Sequence, residues 1–214
     1  MKGMKKLILS IAAAVLSAPV FAQFASGGFS LDEENVYYGV RIGLNVAGMS
    51  GDAKNYQPDG TRTGLTIGGV VGLRLSDDAP VFLESGLYYT EKGSKGVDNP
   101  GNIDEAKPGV KSSLNNLEIP ILVKYGIQAG DKVALLPFLG PYFSTAIGGK
   151  TNKHSSFNKG YYKHFDAGMK IGCGAEYNML YLEAGYAFGF SNMSNDDDFT
   201  SKSQAFFLNF GVNF

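Results

Sequence analysis

The chain has no tryptophan and a single cysteine, Cys173, among its 214 residues. One thiol cannot form an intrachain disulfide, so a fold of this size must be held by other means, and closed β-ladder hydrogen bonding is one. Long apolar runs are lacking as well. After residue 22 nothing approaches the roughly 20 apolar residues of a spanning helix, although apolar residues make up 44% of the chain, and this excludes a helical membrane protein. Charge of one sign is also missing: a formal charge of -1 and a pI near 6.1 offer nucleic acid no basic surface. What is abundant is glycine (29), phenylalanine (15) and tyrosine (12). That is a β-rich bias, suited to tight turns, close strand packing and aromatic belts.

Residues 1–22 read as a secretory signal peptide. Lys2, Lys5 and Lys6 form a positive n-region, residues 7–16 an apolar core, and Val20-Phe21-Ala22 the cleavage-determining positions, with cleavage expected before Gln23. The apolar run is too short for a retained spanning anchor, and no cysteine at the processing site marks a lipoprotein. Residues 23–35 (QFASGGFSLDEEN) are small, polar and acidic and read as a periplasmic lead-in. Residues 36–214 carry the periodic signal.

The last eleven residues, QAFFLNFGVNF, put Phe206, Leu208, Phe210, Val212 and Phe214 on one face and Phe207, Asn209, Gly211 and Asn213 on the other. A terminal strand that is apolar on one side, small and polar on the other, and closed by an aromatic residue suits an outer-membrane β-barrel. The same period of two recurs over residues 36–47, 64–75, 81–90, 114–127, 164–177 and 180–190. A further strand over residues 133–147 is interrupted by Pro137 and Pro141, and its faces stay unassigned. The connections alternate long and short. Residues 48–62, 91–113, 148–162 and 191–203 are long polar loops, with 91–113 too charged to belong to a core, while 76–80, 128–132 and the turn near Asn178 are tight. In an up-and-down meander all long loops then share one end, the extracellular one, and all tight turns the periplasmic one. The expected fold is therefore all-β: an eight-stranded antiparallel up-and-down transmembrane β-barrel in the outer membrane of a Gram-negative cell.

The face opposite the apolar one carries Arg41, Arg74, Lys124 and Lys170 with Glu84, Glu118, Asp166, Glu176 and Glu183. An eight-stranded interior is just wide enough to be filled by side chains, so these groups are expected to form a polar network that plugs the barrel. Outward aromatics are expected near the rims: Tyr38, Tyr125, Tyr177 and Phe214 at the periplasmic end, Tyr89, Phe190 and Phe206 at the outer end. The architectural rival is a soluble lipocalin-like barrel that buries its apolar face. Charges mixed with many glycines on the polar face favour a cramped interior over a watery surface.

Chemistry is sparse. His154 with Ser155 and Ser156, and His164 near Asp166, could supply the His-Ser-acid set of a lipid A-modifying enzyme, but histidines in a polar loop are usually only loop residues. Asn195 to Asp198 is an acidic stretch without the spacing or glycine of a calcium loop. Gly68-Gly69 with Gly72 lie in a strand and are followed by no helix, so they are no phosphate loop. No catalytic, cofactor or metal residues are assigned.

Val40-Arg41-Ile42-Gly43-Leu44-Asn45, Leu117-Glu118-Ile119-Pro120 followed by Leu122, Lys124 and Tyr125, and Pro137-Phe138-Leu139-Gly140-Pro141-Tyr142 resemble the PorT-like outer-membrane β-barrel family common in Bacteroidetes-type bacteria. The resemblance covers essentially the whole mature chain. It implies an eight-stranded barrel in the outer membrane, and it brings no enzyme residues; the namesake is linked to secretion, a role that barrel motifs alone do not transfer. The expected function is non-enzymatic, structural or surface-interacting through the four long loops. The alternatives are a component of a secretion or assembly system, a lipid A-modifying enzyme, and the soluble ligand-binding barrel. Expected partners are outer-membrane lipid, the barrel-assembly machinery through the C-terminal strand, and an unidentified extracellular or periplasmic protein.

Overall fold

A period of two in apolar residues lets each segment turn one face to lipid and the other inward, and a computed structural model of the chain is built from such segments. It describes residues 36–50, 60–97, 108–130, 132–151, 154–155, 165–191 and 202–214. The expected signal peptide and lead-in lie outside the described residues. The strands are β1 (Val36–Ser50), β2 (Gly60–Arg74), β3 (Val81–Val97), β4 (Pro108–Tyr125), β5 (Ile127–Gly130), β6 (Val133–Thr151), β7 (His154–Ser155), β8 (Phe165–Tyr177), β9 (Leu180–Gly189) and β10 (Lys202–Asn213). β5 continues β4 past Gly126, and the two-residue β7 pairs with the far end of β6.

The remaining eight strands form a closed ring in the order β1-β2-β3-β4-β6-β8-β9-β10, and β10 pairs back onto β1, every ladder antiparallel. Closure is completed by the terminal residue itself. Tyr38 N–H donates to Phe214 O at 2.8 Å and Phe214 N–H to Tyr38 O at 2.9 Å. The fold is the expected eight-stranded up-and-down barrel. Its apolar face points outward: Ile42, Leu44, Leu65, Leu139, Ile171, Leu182, Leu208 and Phe210 are all exposed, which disposes of the lipocalin-like arrangement.

β6, unreadable in the sequence, has Leu135, Pro137, Leu139, Pro141 and Phe143 outward and Ala134, Leu136, Phe138, Tyr142 and Ser144 inward. Its ladder to β4 runs from Pro120↔Tyr142 to Val123↔Leu139 without a pair between, where Pro141 has no N–H to give. β3 and β4 likewise lack pairs between Ser85↔Ile121 and Tyr88↔Glu118, beside Pro120, and there the Ser85 hydroxyl donates to the Pro120 carbonyl at 2.8 Å.

Six strands run further toward the loops than hydrophobic periodicity indicates, by as much as residues 91–97 of β3 and 108–113 of β4. The expectation that 91–113 is all loop outside the core is corrected here: Lys92 points into the barrel and reaches Glu118 at 2.7 Å. Beyond the bilayer a strand has water on its outer face, so the apolar alternation ends although the ladder continues. At the other end Asn178, with φ of 55°, makes the tight turn between β8 and β9, a left-handed conformation that Asn tolerates better than most residues.

Interior glycines make room for large rings. A Cβ on Gly174 would overlap the Tyr181 phenol and one on Gly72 the Tyr37 ring, whereas a Cβ on the outward Gly69 meets nothing closer than 3.9 Å. Gly174→Val is therefore expected to destabilise the barrel by about 1–3 kcal/mol and to lower the heat-modifiable, folded band on unboiled gels, while Gly69→Val leaves that band at the wild-type level.

Candidate functional site in the barrel interior

Inward positions of the eight strands bring the charged residues together at two heights. Nearer the tight turns, Glu84 is the centre of the first cluster: its Oε2 accepts from the Tyr37 hydroxyl at 2.7 Å and from Lys124 Nζ at 2.8 Å, and Arg41 Nη2 lies 3.6 Å away. Lys124 also donates to the Tyr181 hydroxyl at 2.7 Å and lies 3.7 Å from Glu183 Oε2. The Tyr181 hydroxyl in turn donates to Glu183 at 3.1 Å, while Asn209 Nδ2 donates to the other Glu183 oxygen at 2.7 Å. Arg41 lays its guanidinium 4.0 Å over the Tyr181 ring and donates to Asn213 Oδ1 at 2.5 Å; Asn213 Nδ2 passes the link to Glu176 at 2.6 Å. This chain of bonds joins β1, β10 and β8 across the closing seam.

The second cluster lies nearer the loops. Lys92 and Lys170 each pair with one oxygen of Glu118, and Tyr142 donates to Asp166 Oδ2 at 3.0 Å. Lys170 packs 4.8 Å over the Phe207 ring and Lys92 4.7 Å over that of Tyr142. Two ammonium groups face two carboxylates here. Between the clusters, Leu122, Phe138, Ala187 and Phe207 form an apolar layer with Tyr142, in which the Phe138 and Phe207 rings stack 6.2 Å apart. A second apolar cluster, of Tyr37, Phe82, Ala134, Leu136 and Tyr181, packs against the first charged cluster, to which the Tyr37 and Tyr181 hydroxyls belong. A cavity of about 10 Å³ among Lys92, Leu114, Asn116, Asp166 and Ser203 has room for about one water.

Of the nine interior residues expected from the sequence, Arg41, Glu84, Glu118, Lys124, Asp166, Lys170, Glu176 and Glu183 are buried inside. Arg74 is the exception. It is only half-buried at the turn end, where its Nε donates to the Ser76 carbonyl at 2.9 Å and its guanidinium lies 5.9 Å from the Phe82 ring, and the barrel mouth there lets the side chain reach water. Sequence reading missed Lys92, whose parity with Glu84 and Tyr88 on the same strand was the available signal, and Tyr37 and Tyr142; it put Tyr181, Asn209 and Asn213 on the inner face without giving them a part in the network. Of the expected rim aromatics, Tyr38, Tyr125, Tyr177, Phe190 and Phe206 are exposed, and Tyr89 and Phe214 are half-buried.

Of the His-Ser-acid sets, Ser156 and His164 lie outside the described residues, as does the acidic stretch 195–198. Asp166 is placed, and it is occupied by Tyr142. Among the described residues no group of His, Cys, Asp and Glu is arranged to hold a metal.

Residues 21–195 match the family described as outer membrane protein beta-barrel domain. The chain belongs to that family. As an outer-membrane barrel it crosses the outer membrane with strands, and the exposed apolar face is its lipid contact. No curated protein sequence matches it. Among solved structures, Neisserial surface protein A superposes with a TM-score of 0.51 at 18% identity, over 85% of this chain and 100% of that one. OprG from Pseudomonas aeruginosa gives 0.48 at 10% identity, over 87% and 99%. Ail of Yersinia pestis gives 0.45 at 14% identity, over 85% and 100%. At such identities the likeness to Neisserial surface protein A is one of fold.

Removing one partner of a buried ion network leaves uncompensated charge and costs about 3–5 kcal/mol. Glu84→Ala is expected to lower the unfolding free energy of this outer-membrane barrel in detergent by that amount, measured by urea titration. Arg74→Gln, at the wet turn end, is expected to cost about 1 kcal/mol.

Proposed function

We propose that this outer-membrane barrel is a closed, non-conducting and non-enzymatic wall element that meets its partners through its loop-side surface. The observation that carries the reading is the apolar layer between the two charged clusters inside. A permeant ion would have to pass the stacked Phe138 and Phe207 rings, which pack in one buried cluster with Leu122, Tyr142 and Ala187. An ion in such an apolar layer is strongly disfavoured unless paired. Arg41, Glu84, Lys92, Glu118, Lys124, Lys170 and Glu183 are tied to one another in ion pairs, which suits cross-bracing of the wall better than transport.

The extracellular orientation of the long connections is part of the proposal. It is supported by strands that project beyond the apolar belt at that end, β3 by residues 91–97 and β6 as far as Thr151. Such a projection gives loops a rigid base on which to present a contact surface. A leader over residues 1–22 and insertion through the C-terminal strand, which pairs with β1 through Tyr38 and Phe214, belong to the same reading. The motif Leu117-Glu118-Ile119-Pro120 supports a PorT-like assignment within the family; a role in secretion is not included.

In planar bilayers the purified protein is expected to give no single-channel steps at moderate voltage. Stable steps from the wild type would sink the closed-barrel reading. Protease added to intact cells is expected to cut within 51–59, 98–107, 156–164 or 192–201 and to spare the strands. His154→Ala with His164→Ala is expected to leave the mass spectrum of lipid A unchanged, and a lost lipid A modification would put the enzyme in its place.

A further inference from the structure

The outward aromatic residues are unevenly spread around the loop-side end of the barrel. Phe143 on β6, Phe165 on β8, Tyr186 and Phe188 on β9, Phe190 just after it, and Phe206 on β10 form one surface across adjacent strands. The Phe143 and Phe165 rings stack 6.4 Å apart and those of Tyr186 and Phe188 lie 4.8 Å apart, while the ladder sets Phe206 opposite Tyr186 and Gln204 opposite Phe188. On the opposite wall, β1 to β4, Tyr89 is the outward aromatic at that end among the described residues. A girdle that only located the barrel in the bilayer would ring it. It would also favour Tyr, whose polar tip reaches water, over Phe, which has none.

Reading outward along β10 from the shelf, Phe206 is followed by Gln204, which accepts from the Tyr186 hydroxyl, and then by exposed Lys202. The order is apolar, hydrogen-bonding, cationic. On β3 the same step leads from Tyr89 to Glu91, which accepts from the Tyr89 hydroxyl at 3.4 Å.

We propose that the β8–β9–β10 wall is a binding site for a phosphate-bearing lipid of the loop-side leaflet, with its acyl chains against Phe188, Phe190 and Phe206 and its phosphate on Lys202. The shelf is continuous with the belt that already contacts lipid, so an acyl chain reaches it without leaving the bilayer. Lys202 supplies the charge that selects an anionic headgroup, by a contact that falls off within a Debye length. The aromatic rings offer a rigid, low-entropy surface that orders one lipid over its neighbours. The site rests on membrane placement of the barrel and not on its being non-conducting.

The test is native mass spectrometry of the full-length barrel in detergent, titrated with bis-phosphorylated lipid A, with dephosphorylated lipid A, and with phosphatidylcholine. Wild type is expected to retain one bis-phosphorylated lipid in preference to the other two. Lys202→Glu is expected to lower that retention about tenfold, and the pair Phe188→Ala with Phe190→Ala to lower it for both lipid A forms. Lys132→Glu, exposed at the turn end, serves as the control for bulk charge and should retain lipid as wild type does. Heat-modifiable migration of each variant separates lost lipid from lost fold. Wild-type retention by Lys202→Glu, an equal loss in Lys132→Glu, or indifference to the phosphates would each overturn the proposal, and none of these outcomes alters the bilayer conductance expected above.

Discussion

In hydrocarbon no water is available to a backbone amide, so each N–H and C=O of a membrane-crossing segment must find its partner within the protein. For strands the solution is a ring. Here the ring is completed where β10 meets β1, with the terminal Phe214 bonded twice to Tyr38. The same requirement explains the places where the ladders falter. Pro141 has no donor to give, and beside Pro120 a side-chain hydroxyl, that of Ser85, takes over one acceptor. A polar side chain on a lipid-facing strand is thus accounted for by the backbone next to it.

Closing eight strands sets the width of the interior, and the width sets its chemistry. The space is too narrow for a channel lined by full-sized residues all round, so glycines alternate with large rings, as Gly174 does with Tyr181 and Gly72 with Tyr37. The charged residues enter this space only as networks. Glu84 holds Tyr37, Lys124 and Arg41 at once, and Glu118 holds two lysines from different strands. These bonds cross between strands, some adjacent and some far apart in the chain, so the interior braces the wall against shear and ties the closing seam through Arg41, Asn213 and Glu176.

The exterior divides along the chain as well as around it. Several strands continue past the apolar belt toward the long connections. Around the belt, the outward aromatic residues of β6 to β10 at the loop end contrast with Tyr89 of β3.

Much of this was legible in the sequence because lipid and the packed interior impose a period of two on residue type. Phe206 to Phe214 declared their faces unaided, and so did the eight charged residues that the structure buries. Parity does not convey where a strand ends once both faces are polar, which is why residues 91–97 read as loop and Lys92 was lost. Nor does it convey depth, which is why Arg74 looked like its neighbours yet sits at the wet mouth. Proline hid the faces of β6, since two prolines at outward positions look like a broken pattern until the partner strands show the parity intact. The sequence by itself determined the architecture and the sidedness of every strand but β6, because these follow from local alternation, and the glycine-rich charged face pointed to the bilayer as its surroundings. Only the tertiary structure decided which charges pair, where an apolar layer divides them, and which wall carries the aromatic shelf. Those depend on register between strands far apart in the chain, and register is set by packing and by the ladder rather than by any one segment.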